Sequence, residues 1–296
     1  MSWRTVVISN RCKLDYKLGY MVLRGMDEKQ LFLDEVAVII IESTAVSLTS
    51  YLLKELVERK IKVVFCDELH NPVSELMPLY GCHDSSAKIP MQIDWGQPAK
   101  TAVWTEIVKE KIKNQACLLN HLHHYDAFEL LTDYANDVQL GDITNREGHA
   151  AKVYFNALFG QEFSRGQDCN INAALNYGYA LLLSAFNREI AANGFLTQLG
   201  LNHKNPFNKF NLSCDLMEPF RPLIDSIVIK MMPFSFSADE KHHLLSLFSK
   251  KLVIENKEQY FLNAISIYCR SVFASLENNN AELLSFFDGK AICDAE

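Results

Sequence analysis

Nothing in the 296-residue chain matches a G-x-x-x-x-G-K-[ST] loop or a G-x-G-x-x-G turn. A dedicated ATP or dinucleotide site is therefore not expected. None of the eight cysteines forms a C-x-x-C pair, which excludes a zinc knuckle and a thioredoxin-type centre. Several cysteines sit inside apolar runs, where the residue behaves as a small hydrophobe, and that usage fits a reducing compartment. No apolar run approaches the ~20 residues of a membrane helix. Met1–Arg11 carries charge and no long apolar core, so a signal peptide is not expected either. Low-complexity tracts, internal repeats and an obvious protein nucleophile are also missing. Together these absences predict a cytoplasmic protein with no membrane contact.

What is present begins with apolar content. At 49% of residues it suffices for a sizeable core, as one large domain or two ordinary ones. Residues 4–8, RTVVI, suggest a strand. Residues 13–18 alternate apolar and polar positions before a turn near Gly19, the pattern of a half-solvated hairpin. Two continuous apolar runs, 36–41 and 61–66, predict strands buried on both faces. Between them Val46, Leu52, Leu53, Leu56 and Val57 share a helical face, with Ser43 or Thr44 as N-cap. Residues 73–79 are expected to form a last strand. The stretch 80–98 then loses any sustained period and reads as a linker. Beyond it the chain reads as almost entirely helical, with a stripe at Val103, Trp104, Ile107, Val108 and Ile112, and a helix at 172–190 that is apolar nearly all round. Further helices are expected over 215–232, 237–252 and 257–276. The expected fold class is α+β by domains: a small β-rich N-terminal domain at 1–79, a linker at 80–98 and a large all-α domain at 99–296.

The candidate chemistry lies between residues 193 and 225. His203 stands in a polar loop after Gly200, and Asp215, Glu218 and Arg221 follow at the start of an expected helix. Glu147, in the first turn of a helix after Asn145, offers another carboxylate. One histidine with two or three carboxylates is the ligand set of a hard or borderline divalent cation. Plainer readings stand beside this one. A carboxylate in the first turn is what a helix N-terminus favours. Asp215 and Glu218 also form a D-x-x-E capping pair, or Glu218 is itself the N-cap with Pro219 following. A loop histidine is usually solvated. The H-x-H-H run at His121, His123 and His124, the pair His242-His243 and the acids Asp67-Glu68 read as surface residues. A net charge of −7 argues against a general nucleic-acid binder. Net charge averages over faces, however: from 188 to 221, Arg188, Lys204, Lys209 and Arg221 are opposed only by Glu189 once Asp215 and Glu218 are assigned to a metal.

Gly194, Gly200, His203, Asp215, Leu216, Glu218, Phe220, Arg221 and Pro222 fall at spacings that resemble the CRISPR adaptation integrase family. Its pattern is a glycine-bearing loop, a histidine and then D-L-x-E-x-F-R-P. N-R-E-G-H-A-A at 145–151, N-x-A-L-N-Y-G-Y-A-L-L at 172–182, the opening W-R-T-V-V-I-S and the F-C-D-E after an apolar strand carry the resemblance along nearly the whole chain. Its flavour is that of type II systems.

The resemblance implies that Glu147, His203 and Glu218 bind the metal, Mn²⁺ or Mg²⁺. Asp215 matches a further acidic position among the catalytic residues, behind the ligands or at a second ion. The implied reaction is transesterification, in which a 3′-hydroxyl on a short DNA fragment attacks a phosphodiester of the CRISPR repeat. Arg146, Arg188, Lys204 and Arg221 are candidate phosphate contacts; Arg221 alternatively clamps Glu218 from three residues away. The implied partners are double-stranded DNA, a second copy in a homodimer and a small ferredoxin-like adaptation protein that is itself dimeric. In type II relatives a ring-shaped DNA-end-binding protein and the RNA-guided effector nuclease join them. The β-rich domain is the natural dimer surface. Two other functions fit the same residues: a metal-dependent DNA nuclease without joining activity, and a non-catalytic DNA-binding scaffold, which the intact ligand set disfavours.

Overall fold

The computed structural model describes residues 4–78, 82 and 84–293. Trp3 of the opening motif, Leu79 of the expected last strand, and Tyr80, Gly81 and His83 of the expected linker lie outside these residues.

The apolar runs become strands β1 (Arg4–Ile8), β5 (Val36–Ile41), β7 (Lys62–Cys66) and β8 (Pro72–Glu75), joined in the order β1-β5-β7-β8. The first three are parallel and β8 closes the edge antiparallel. Every residue of β5 is buried. Val38 and Ile40 join the large core of the helical part, whereas Val36, Ile39 and Ile41 join a smaller core. That smaller core is closed by a second sheet of β2 (Lys13–Lys17), β3 (Tyr20–Arg24), β4 (Glu28–Phe32) and β6 (Ser47–Leu48), together with α1 (Ser50–Glu58). Leu18 and Gly19, both at positive φ, make the two-residue turn between β2 and β3. The expected cap at Ser43 or Thr44 lies too early. Thr49 caps α1 by accepting from the Leu52 amide, because residues 47–48 pair with β2 instead of entering the helix.

The rest is mainly helical: α2 (Ser85–Ile93), α3 (Gln97–His121), α4 (Tyr125–Asn136), α5 (Arg146–Phe159), α6 (Asn170–Ala192), α7 (Asn211–Met217), α8 (Arg221–Met231) and α9 (Ala238–Leu245). A hairpin, β9 (Lys251–Ile254) and β10 (Lys257–Tyr260), precedes α10 (Phe261–Asn278) and the short α11 (Lys290–Cys293). The β-rich half followed by a helical half is the α+β class expected. Three local expectations change. The stretch 80–98 contains α2, whose buried Gln92 grips the later loop through Leu196 and Leu199. The expected helices over 237–252 and 257–276 are both cut back by the hairpin: the first ends at Leu245, with Lys251 and Leu252 in β9, and the second starts only at Phe261, with residues 257–260 in β10 and Glu255 and Asn256, both at positive φ, at the turn. The expected helix at 215–232 begins at Asn211 and is interrupted by a 3₁₀ turn at Glu218–Phe220. Pro219 supplies no amide hydrogen there, so the α-helical ladder breaks and restarts.

α6 is the central helix and α8 crosses it closely. A Cβ on Gly178 would lie 2.4 Å from Ile224 Cγ2, so only glycine permits this approach. The crossing fixes the segment that carries Glu218 and Arg221. No helix among the described residues is long and apolar enough to cross a membrane.

Candidate metal centre

Asp215 and Glu218 lie three residues apart, but neither acts as the helix N-cap considered above. Phe210 stands at the N-cap of α7, and Asp215 is inside that helix with no solvent exposure. Its carboxylate accepts from the backbone amides of Leu201, Asn202 and His203, at 2.6, 3.1 and 3.1 Å. It also accepts from His203 Nδ1 at 2.5 Å. Asp215 thus closes the 200–203 loop and orients the imidazole, leaving Nε2 as the remaining ring nitrogen. The hydrogen bond to Asp215 raises the His203 pKa against desolvation, with further help from the charges of Asp215, Glu218 and Glu147. Gly200 is required for this arrangement, since a Cβ there would lie 2.4 Å from His203 O and 2.7 Å from Asp215 Oδ2. Trp104 of α3 packs edge-on to the imidazole, with ring centroids 5.9 Å apart.

Glu218 is held by charge. Arg221 Nε donates to its Oε1 at 2.8 Å, which places Arg221 in the clamping role. Lys111 Nζ lies 2.5 Å from Glu218 Oε2 and 2.6 Å from Glu147 Oε1. Burial opposes the ionised Glu218, but Arg221 and then Lys111 outweigh it and hold its pKa well below the usual carboxylate value. Burial likewise opposes the charged Lys111, and Glu218 and Glu147 overcome it. Glu147 sits in the first turn of α5, where the Asp142 carboxylate accepts from its amide and from that of Arg146.

Lys111 did not stand out in the sequence, and neither did its neighbours on α3. Asn114 donates to Pro219 O and anchors the 3₁₀ turn, while Gln115 lies buried one turn beyond Lys111. The available signal was three polar residues within an apolar helical stripe, at 111, 114 and 115 between Ile107 and Leu118.

Among the described residues no three His, Cys, Asp or Glu side chains converge as a ready-made ion cage. The two glutamates converge on Lys111, and His203 lies within reach of their charge. The donor chemistry nevertheless fits a divalent cation. Glu218 Oε2 is buried and faces the Lys111 ammonium at 2.5 Å, which favours its ionised form by charge and by hydrogen bonding. A buried carboxylate needs a cation beside it; Lys111 supplies that charge here, and a divalent ion is a partner of the same kind.

The candidate phosphate contacts are dispersed. Lys204 is exposed beside His203 and, with Lys100, lines a groove of about 370 Å³. Burial lowers the Lys100 pKa and the Lys204 charge lowers it further, so the two cations share a field. Arg146 pairs with Asp137 and lies over the Tyr134 ring. Arg188 is packed against the sheet edge with Val57 and Leu76, away from the glutamates. The H-x-H-H residues do not share a helix face: α3 ends at His121 and His123 turns with positive φ. His242 and His243 are exposed, as expected of a helix surface, and His242 also reaches Glu42, just after β5, at 2.9 Å.

A sheet of three parallel strands with an antiparallel edge strand, a helical part and two glutamates near an imidazole fixed by an aspartate describe a class of α+β proteins built around a buried polar centre. The family model for CRISPR associated protein Cas1 matches residues 5–258. A CRISPR-associated endonuclease Cas1 from Neisseria meningitidis serogroup C is 34% identical over 290 residues, covering 96% of this chain and 95% of the relative. The chain belongs to the CRISPR-associated Cas1 family. Among solved structures, a casposase bound to its integration product has a TM-score of 0.74 at 18% identity, covering 95% of this chain and 92% of the other. A chain of a Cas6-RT-Cas1–Cas2 complex has a TM-score of 0.71 at 16% identity, covering 95% of this chain and 36% of the other. At these identities the two structures establish the shared fold.

Proposed function

We propose that this chain is a divalent-metal-dependent DNA integrase, which inserts short DNA fragments into a CRISPR array by transesterification. The observation that carries the reading is the convergence of Glu147 and Glu218 beside His203, whose ring is fixed by Asp215. Family membership supports it, as does the fold shared with a casposase whose structure holds an integration product. Glu147, Glu218 and His203 Nε2 would hold the ion. Bound there, Mn²⁺ or Mg²⁺ supplies Lewis-acid polarisation of the phosphoryl oxygen and stabilises charge on the attacking or leaving oxygen. The chain's own residues do the positioning. Asp215 keeps the imidazole in place, Arg221 keeps Glu218 ionised and directed, and Lys100 and Lys204 attract the DNA backbone into the groove beside His203. Arg146 and Arg188 would contact DNA outside this groove. One phosphodiester bond breaks as one forms, so the step needs no ATP.

The partners are a second copy, docked through the β-rich half, and a small ferredoxin-like adaptation protein. The likeness to a chain in a Cas1–Cas2 complex supports the latter. The ring-shaped DNA-end-binding protein and the RNA-guided effector nuclease follow from the type II resemblance alone, and a cytoplasmic setting goes with them. The boundaries near 80–98 are likewise part of this reading.

The test incubates a labelled short duplex bearing 3′-hydroxyls with supercoiled plasmid, with and without the ferredoxin-like partner. Covalent transfer of label is expected with Mn²⁺ above Mg²⁺, since an imidazole ligand suits Mn²⁺ better, and none in EDTA. Hydrolysis without transfer would instead establish the nuclease reading.

A further inference from the structure

We propose that Lys111 is a tethered cation of this centre: its ammonium holds Glu147 and Glu218 together, and it yields to an incoming divalent ion by swinging along α3 toward Gln115 and Asp225. The inference rests on the metal reading above. Lys111 is 7% exposed and Glu218 3%, so their charges are balanced locally. Lys111 and Arg221 already neutralise Glu147 and Glu218. A divalent ion added without rearrangement would leave two excess positive charges in a buried place, which is costly. One cation must withdraw. Arg221 is anchored twice, by its bond to Glu218 and by stacking of its guanidinium 4.6 Å from the Tyr179 ring centroid. Lys111 has a flexible four-carbon stem and a compact charge, so it is the mobile member.

The structure also offers a destination. A cavity of about 200 Å³ is lined by Lys111, Gln115, Arg165, Tyr179, Arg221 and Asp225, with the Arg165 guanidinium donating to Asn172 and Asn176. Gln115 is one helical turn from Lys111, and its buried Oε1 has no hydrogen-bond partner. An orphaned acceptor of this kind gains from an arriving ammonium. Asp225 accepts from Tyr154 and Tyr179, one bond on each oxygen, and a carboxylate has further lone pairs to offer.

Calorimetric titration of the metal-stripped full chain with Mn²⁺ tests the exchange. Lys111→Met removes the competitor and should bind Mn²⁺ about tenfold more tightly, whereas Gln115→Leu removes the destination and should bind more weakly. In the unaltered protein, Mn²⁺ should speed acetylation of the Lys111 amine, read by peptide mass spectrometry, and this needs no variant to fold. Unchanged or weaker binding by cooperatively melting Lys111→Met, or Lys111 acetylation that Mn²⁺ leaves unchanged, would overturn the proposal. Failure of the metal reading looks different: Mn²⁺ would then bind neither protein, or would bind Glu147→Gln/Glu218→Gln as well as the parent, and the exchange falls with it.

Discussion

Asp215 and Glu218 are both buried and only three residues apart, yet they are held by opposite means. Asp215 is satisfied by three backbone amides and one imidazole, donors built into a closed loop. Glu218 is satisfied by two side-chain cations, Arg221 on one carboxylate oxygen and Lys111 on the other. Backbone donors cannot leave, so the Asp215 side of the centre is fixed before any ligand arrives. Side-chain cations can leave, so the Glu218 side can change its partners. The lesson is that a carboxylate's donors, rather than its burial, show whether it serves structure or exchange.

The largest expected effect is on the fixed side. Asp215→Ala leaves several buried donors unsatisfied, and the free energy of unfolding should fall by roughly 3–5 kcal/mol in a urea titration. A loss below ~1 kcal/mol would erase the distinction drawn here. For the three residues proposed to hold the ion, the loss should be of function. Glu147→Ala, Glu218→Ala and His203→Ala should each lower joining by at least ~10²-fold, and pairs should cost little more than singles, because ligands of one ion act as a unit. His203→Ala in particular should fold and bind DNA normally, as checked by circular dichroism and gel shift; near-normal joining would return that histidine to a solvated loop role. Gly200→Ala should be milder, lowering stability by about 1–3 kcal/mol through its clash with His203 O and Asp215 Oδ2.

The smallest effect concerns a third buried acid, Asp225, which is held by two neutral hydroxyls. Burial pushes its carboxyl up to about 6 from 3.8. A folded value above the unfolded one means that the protonated group favours the fold. This contribution is present in full below pH 3.8 and is lost as pH rises through about 6. The stability of the parent relative to Asp225→Asn should therefore decline between pH 4 and pH 7 in urea titrations, and a flat difference would show that burial does not favour the protonated Asp225 carboxyl.

The pattern of apolar runs was sufficient for the strands at 4–8, 36–41 and 61–66, since a strand buried on both faces announces itself by unbroken hydrophobicity. The hairpin at 251–260 was hidden because its two strands fall at the tail of one apolar, helix-like stretch and the head of the next, with only the turn at Glu255 and Asn256 between them. The motif residues Glu147, His203, Asp215 and Glu218 were legible as chemistry from residue type and spacing. Their roles were not. Asp215 reads as a cap, as a residue behind the ligands or as a ligand of a second ion until the loop at 200–203 is seen to wrap its carboxylate.

By itself, then, the sequence determined the α+β class, the buried strands, the central helix at 172–190 and the family. These follow from hydrophobic periodicity and from motifs that are local in the chain. Only the tertiary structure decided that Lys111, 36 residues from Glu147, stands between two glutamates, that α2 grips the histidine loop, and that Arg188 lies away from the centre. Those facts depend on contacts across long separations, where a polar residue in an apolar stripe has no meaning until its partner is placed opposite it.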